Sequence, residues 1–384
     1  MNSGLKKNFG YDGLVVGVEA AAGELQWLSE FFEPAFDVAD GIPDVTIKHE
    51  VDPLRFEQLV NRGPSGNGLD VFVLDKRVVR FPQWRIPEVD LAFYDGENEL
   101  LYLLQRHLIV LLTRHYPRKL RTCLMRTVRE LAMGVVQRNG GRYLHAAAFA
   151  LGGQAAIILG PKGAGKTSLL TYILKNTLEN TQAKFLANDR LMCRQQDSTA
   201  YVRGMPTFIS IRQGIFDLFP GLEESLKTQR FSARSTLGEC RKPGAPDPKT
   251  WSDGRRGLSP TQYCSLMDCD AVKAATGAVM IFPSQTREKG GLSLQKLHPD
   301  RVEDLLRGCL FEKIRPDRLS EVLSIFPPGP NSDCMVSDDE LCRGLTERVP
   351  GYECLLGNDA YADTAGADKL VGLLADQVPR AGQV

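Results

Sequence analysis

The sequence predicts an α/β protein in two parts: a P-loop domain with a mixed sheet and helices over residues 118–384, preceded by a smaller α+β domain over 1–117. Three observations lead there. Residues 160–167 read Gly-Pro-Lys-Gly-Ala-Gly-Lys-Thr, a full match to GxxxxGK[ST], with an apolar run of strand type before it (155–159) and a helical run after it (168–174). Two strand-type runs, 143–151 and 154–159, are separated only by Gly152-Gly153, which reads as a two-residue hairpin. Short strand-like runs also recur through the first 116 residues.

The smaller domain begins with a strand at 14–19, a short amphipathic helix at 23–32 and an alternating strand at 45–51. Residues 61–68 hold three glycines and a proline and read as a loop. Strands follow at 71–74, 78–81, 89–94 and through 100–112, and Tyr116-Pro117 closes the module. In 119–137, Leu120, Leu124, Val128, Leu131 and Val135 share one helical face, and Asn139-Gly140-Gly141 caps that helix. An antiparallel hairpin feeding directly into a P-loop is unusual, since P-loops ordinarily leave a parallel βαβ sheet. Beyond the loop, 184–193 reads as an apolar strand with Asp189 at its polar end. Helices are expected at 263–270, 300–310 and 367–376, and a strand at 278–283.

Composition narrows the function classes. With 43% hydrophobic and 24% charged residues, and 47 basic against 47 acidic side chains, the chain has an ordinary globular make-up. Its zero formal charge predicts no wholesale attraction to nucleic acid or to an anionic membrane. The nine cysteines include no CxxC pair and there are five histidines, so free thiols are expected rather than a structural metal site. The first residues lack an apolar core of signal-peptide length, and the tract 100–113 is broken by Gln105, Arg106 and His107. A cytoplasmic protein is expected.

The glycines of the loop allow successive N–H groups to point at phosphate oxygens, with the positive end of a helix dipole behind them. The nucleotide-binding set is Gly160, Pro161, Lys162, Gly163, Ala164, Gly165, Lys166, Thr167 and Ser168. Lys166 would reach the β- and γ-phosphates, and the Thr167 hydroxyl would hold Mg²⁺. Asp189, at a strand end, is the expected second Mg²⁺ ligand, and His145 is the candidate acid/base, paired with Asp189. Lys162, Arg203 and Arg212 are further candidates for phosphate contacts. The stretch 228–260 is poor in apolar residues. Between Lys227 and Arg256 it holds eight basic residues against three acidic, and it reads as a solvated loop or as a lid over phosphate.

Residues 144–189 resemble the catalytic domain of HPr kinase/phosphorylase and its relatives. The resemblance rests on His145 in Leu-His-Ala-Ala-Ala, the Gly152-Gly153 hairpin, the P-loop and the Asn188-Asp189-Arg190 strand end, with Val202-Arg203-Gly204 similar to a later Arg-Gly signature. It implies the mixed-sheet P-loop fold of that family's C-terminal domain, ATP and Mg²⁺ as ligands, and phosphoryl transfer assisted by His145, Lys166 and Asp189. Two departures stand out. Asn188 replaces the first of two successive aspartates, so one base or metal role is lost or moved, and Tyr201 stands where the family has a glutamate, which removes the expected second Mg²⁺ ligand there. HPr itself is therefore not the expected acceptor. The reading is an ATP-dependent kinase acting on a hydroxyl of a protein, peptide or small molecule. Its alternatives are a nucleotide-binding regulatory pseudoenzyme or a simple NTPase, with homo-oligomerisation left open.

Overall fold

The computed structural model describes residues 5–62, 68–72, 78–87, 89–117, 119–177, 183–196, 199–228, 256–286, 290–311 and 336–377. The basic stretch anticipated at 228–260 lies, from 229 to 255, outside the described residues. The chain divides into two compact units, with the described residues of the first within 5–139 and those of the second from 140 onward. Both mix helices with large sheets. Among the described residues no helix is long and apolar enough to cross a membrane.

The first unit carries one sheet of nine described strands: β1 (Leu5–Tyr11), β2 (Leu14–Ala20), β3 (Asp37–Val38), β4 (Val45–Val51), β5 (Gly68–Phe72), β6 (Val78–Ile86), β7 (Val89–Asp95), β8 (Leu100–Gln105) and β9 (Leu108–Thr113). Their order is β3-β1-β2-β4-β9-β8-β7-β6-β5. Pairing is parallel at β2–β4 and β4–β9 and antiparallel between the other neighbours. Three helices join it: α1 (Ala22–Phe32), α2 (Pro53–Asn61) and α3 (Leu120–Arg138). The sequence places α3 with the P-loop domain, but its apolar stripe needs a partner and finds one in α1, β2 and β4. An ion pair from Arg121 Nε to Glu24 Oε1, 3.2 Å long, ties α3 to α1. The boundary therefore falls near residue 139, after this helix and not before it.

The second unit holds β10 (Arg142–Leu144), β11 (Ala146–Leu151), β12 (Gln154–Leu159), β13 (Lys184–Ala187), β14 (Leu191–Gln196), β15 (Thr199–Gly204), the small pair β16 (Ile209–Ile211) and β17 (Arg256–Leu258), then β18 (Ala274–Gln285), β19 (Leu292–Lys296) and β20 (Gly351–Leu356). Its helices are α4 (Lys166–Asn176), α5 (Gln213–Leu218), α6 (Pro220–Thr228), α7 (Pro260–Met267), α8 (Pro299–Arg307), α9 (Asp338–Thr346) and α10 (Ala365–Ala375). The main sheet runs β10-β14-β15-β18-β12-β11-β13, with β20 on β18 and β19 on β20. Side chains alternate along β11. Ala147 and Phe149 join a core with Leu170, Tyr263 and Leu370, while Ala146, Ala148 and Ala150 join another with Met280, Leu306 and Leu345. Period-two alternation means these are the two faces of one sheet, each covered by helices.

Two features position the site. The hairpin is real: β11 and β12 pair antiparallel through Gly152 and Gly153, whose φ of 55° and 80° match the positive values a tight hairpin turn requires. On its other edge β12 is parallel to β18, and β18 is parallel to β20. The carboxyl ends of three parallel strands thus lie together, where open α/β sheets bind ligands.

Candidate functional site

The phosphate loop leaves β12 at Leu159 and enters α4 at Lys166. Gly160, Gly163 and Gly165 have φ of 148°, 93° and 92°, values at which a side chain would strain the backbone. The amides at the start of α4 have no intrahelical acceptor and face the helix-dipole end. Lys162 is exposed on the loop, and Ser168 follows Thr167 in the first turn. Lys166 is only 8% exposed and folds over the loop, donating from Nζ to the carbonyls of Gly160 (2.6 Å) and Pro161 (3.1 Å). Burial pushes its pKa down, opposed by the nearby Cys309 and Asp189. A cation held by neutral carbonyls in a desolvated place is well suited to accept an anion.

One strand that the sequence predicts around the site breaks at the residue that matters, and another ends beside it. The 143–151 run breaks at His145. Leu144 pairs across to β14, Ala146 starts the pairing with β12, and the His145 amide donates to the Cys309 carbonyl at 2.7 Å. His145 therefore sits at a strand junction, not inside an apolar strand, and its side chain is 34% exposed. The strand expected to end in Asp189 ends at Ala187, pairing resumes at Leu191, and between them Asp189 takes φ 76°, an uncommon backbone for a residue other than glycine. That reversal separates two neighbours that the sequence alone cannot tell apart.

Asn188 faces the loop, where its Oδ1 accepts the Thr167 hydroxyl at 3.0 Å while its own carbonyl accepts from Thr207 Oγ1 at 2.7 Å. Asp189 faces His145, with Oδ1 3.4 Å from Nε2. The sequence pairs Thr167 with Asp189 as metal ligands. In the structure Thr167 is instead bonded to Asn188, while Asp189 lies beside His145 with its charge also acting on Lys166. Among the described residues no group of three or more His, Cys, Asp or Glu is arranged to hold a metal. The oxygens of Thr167 and Asn188 are hard donors that fit Mg²⁺ brought by phosphates, which is how this ion is commonly bound.

Residues from distant segments complete the surroundings. Cys309 accepts the Gly160 N–H at its sulfur, and burial pushes its thiol up. The Phe311 ring lies 5.9 Å from the His145 ring and is covered by the Arg190 guanidinium at 5.1 Å. On the other flank, a Cβ added at Gly165 would approach Gln285 Nε2, Leu356 Cδ1 and Tyr361 Oη at 3.8–3.9 Å, so the ends of β18 and β20 border the loop. No sequence pattern pointed to Cys309, Phe311, Gln285 or Tyr361, because only the sheet order brings them here. Arg203 is buried in β15 opposite Met192 and Ala274, and Arg212 precedes α5.

No protein-family model matches the chain, and no curated protein sequence matches it.

Proposed function

We propose that the second unit binds ATP with Mg²⁺ and transfers the γ-phosphoryl group to a hydroxyl of a protein, peptide or small-molecule acceptor, in the manner of the HPr-kinase-like enzymes it resembles. The observation that carries the reading is the His145–Asp189 pair at 3.4 Å, held beside a complete phosphate loop by a backbone reversal at Asp189. A structural loop has no need of that combination.

The loop amides and Lys166 take the β- and γ-phosphates, with Lys166 exchanging the carbonyls of Gly160 and Pro161 for phosphate oxygens. Thr167 and Asn188 are the residues that would hold Mg²⁺ arriving with the nucleotide, and the ion would supply charge neutralisation to the transferring group. His145 takes the acceptor's hydroxyl proton on Nδ1, the ring nitrogen that does not face Asp189, as that oxygen bonds to γ-phosphorus and the bond to the ADP oxygen breaks. The proton ends on His145, where the Asp189 carboxylate orients the ring and stabilises the imidazolium. Catalysis beyond that is positioning and electrostatics.

The test is transfer from [γ-³²P]ATP in a host lysate by the wild-type protein and by Lys166→Ala. An acceptor labelled only by the wild type supports the kinase and supplies its substrate. No labelled acceptor, with nucleotide binding retained, favours instead a nucleotide-binding regulator. The neutral Asn188 at the loop is the observation on that side.

A further inference from the structure

Resting on the nucleotide-binding reading, we infer that the described residues form no cation seat of their own: Asn188 makes the seat beside Thr167 neutral, so a divalent cation enters only as part of the nucleotide. Asn188 is 7% exposed and held at both ends, by the Thr167 hydroxyl on its side chain and by Thr207 on its carbonyl. Its amide oxygen is therefore a fixed feature of the loop. The nearest carboxylate along the chain, Asp189, has a left-handed backbone; its Oδ1 lies 3.4 Å from His145 Nε2, and its charge also acts on Lys166.

Two consequences follow from the charges. A hard divalent cation binds tightly where carboxylates neutralise it, and a seat of one hydroxyl and one amide oxygen leaves that work to phosphates. The phosphates in turn meet Lys166 and the loop amides, and the group bonded to Thr167 is a neutral amide. Nucleotide should therefore bind nearly as well without the cation as with it. Asn188→Asp is close to isosteric and can still accept the Thr167 hydroxyl, so it restores charge without removing the contact. It should create a cation seat in the nucleotide-free protein and make nucleotide binding depend on Mg²⁺.

The experiment uses the full chain and two probes. Mn²⁺ binding to nucleotide-free protein is followed by electron paramagnetic resonance, and ATP binding is measured by calorimetry in Mg²⁺ and in EDTA. Expected for the wild type is no Mn²⁺ occupancy below about millimolar and less than about a threefold change in ATP affinity between the two buffers. Asn188→Asp should bind Mn²⁺ at least about tenfold more tightly and lose at least about tenfold in ATP affinity in EDTA. Asp189→Asn is the control, since asparagine tolerates the left-handed backbone. Micromolar Mn²⁺ binding by the wild type that this variant abolishes would assign the cation to Asp189 and overturn the inference. An Asn188→Asp protein that folds but gains no Mn²⁺ affinity would overturn it equally. Failure of the wild type to bind ATP in either buffer would count against the nucleotide reading alone, because the Mn²⁺ arm contains no nucleotide.

Discussion

His145 and His49 show how differently one residue type behaves in the two units. His145 occupies a strand junction with a carboxylate 3.4 Å from its ring. His145→Gln is expected to lower the turnover of any transfer reaction about 10²–10⁴-fold while leaving ATP affinity within about twofold, as calorimetry beside single-turnover kinetics would reveal. His49 is half-buried against Thr113 Oγ1 (3.1 Å), and desolvation there pushes its pKa from 6.5 down to about 4. Between those values the unfolded chain takes up a proton that the folded chain refuses. Stability of the first unit should therefore fall as pH drops from about 6.5 to about 4, by at most about 3 kcal/mol, and be fully present above that window. Urea denaturation at pH 7 and pH 5 should show the loss in wild type and a smaller one in His49→Gln.

At the scale of elements, the termini of helices were more readable than the breaks in strands. Asp52 accepts from the Arg55 amide and Pro53 opens α2, while Ser337 and Glu340 form a reciprocal capping box on α9. Both signals are present in the sequence, and the helices they start went unpredicted because their apolar stripes are short. The strand break at His145 has no such local sign. It arises because the Cys309 segment bonds His145 and because Leu144 pairs with β14 while Ala146 pairs with β12. Gly204, the glycine of the Arg-Gly pair, has an equally non-local reason. A Cβ there would run into the Leu186 carbonyl oxygen, since β15 passes close to the end of β13. Gly204→Ala should destabilise the second unit by about 2–4 kcal/mol, and because Leu186 leads to Asn188 it should also weaken ATP binding. Normal stability in chemical denaturation would refute that account of the glycine.

For the whole molecule, the division at residue 139 assigns the proposed chemistry to one unit and leaves the other a separate sheet with its own core around Phe56, Trp84, Leu103 and Leu112. Saturating ATP should stabilise the second unit by about 2.7 kcal/mol at a hundred times its dissociation constant. Hydrogen exchange should then show new protection at 160–170 and 186–190, with peptides from 14–60 and 100–113 unchanged. Protection spread evenly over both units would show that nucleotide acts on the whole chain.

The phosphate loop, its strand and helix, the Gly152-Gly153 hairpin and the Lys166 and Thr167 positions were legible in the sequence because each depends on residues within about ten places of one another. The partnership of α3 was not, because an amphipathic stripe declares that a partner exists without naming it. Nor was the division of labour between Asn188 and Asp189. Adjacent residues in a regular strand point to opposite faces, but here the φ of 76° at Asp189 and the bonds from Thr167, Thr207 and His145 decide what each side chain meets. Those bonds join elements far apart in the chain, and only the order of strands in the folded sheet brings them within reach.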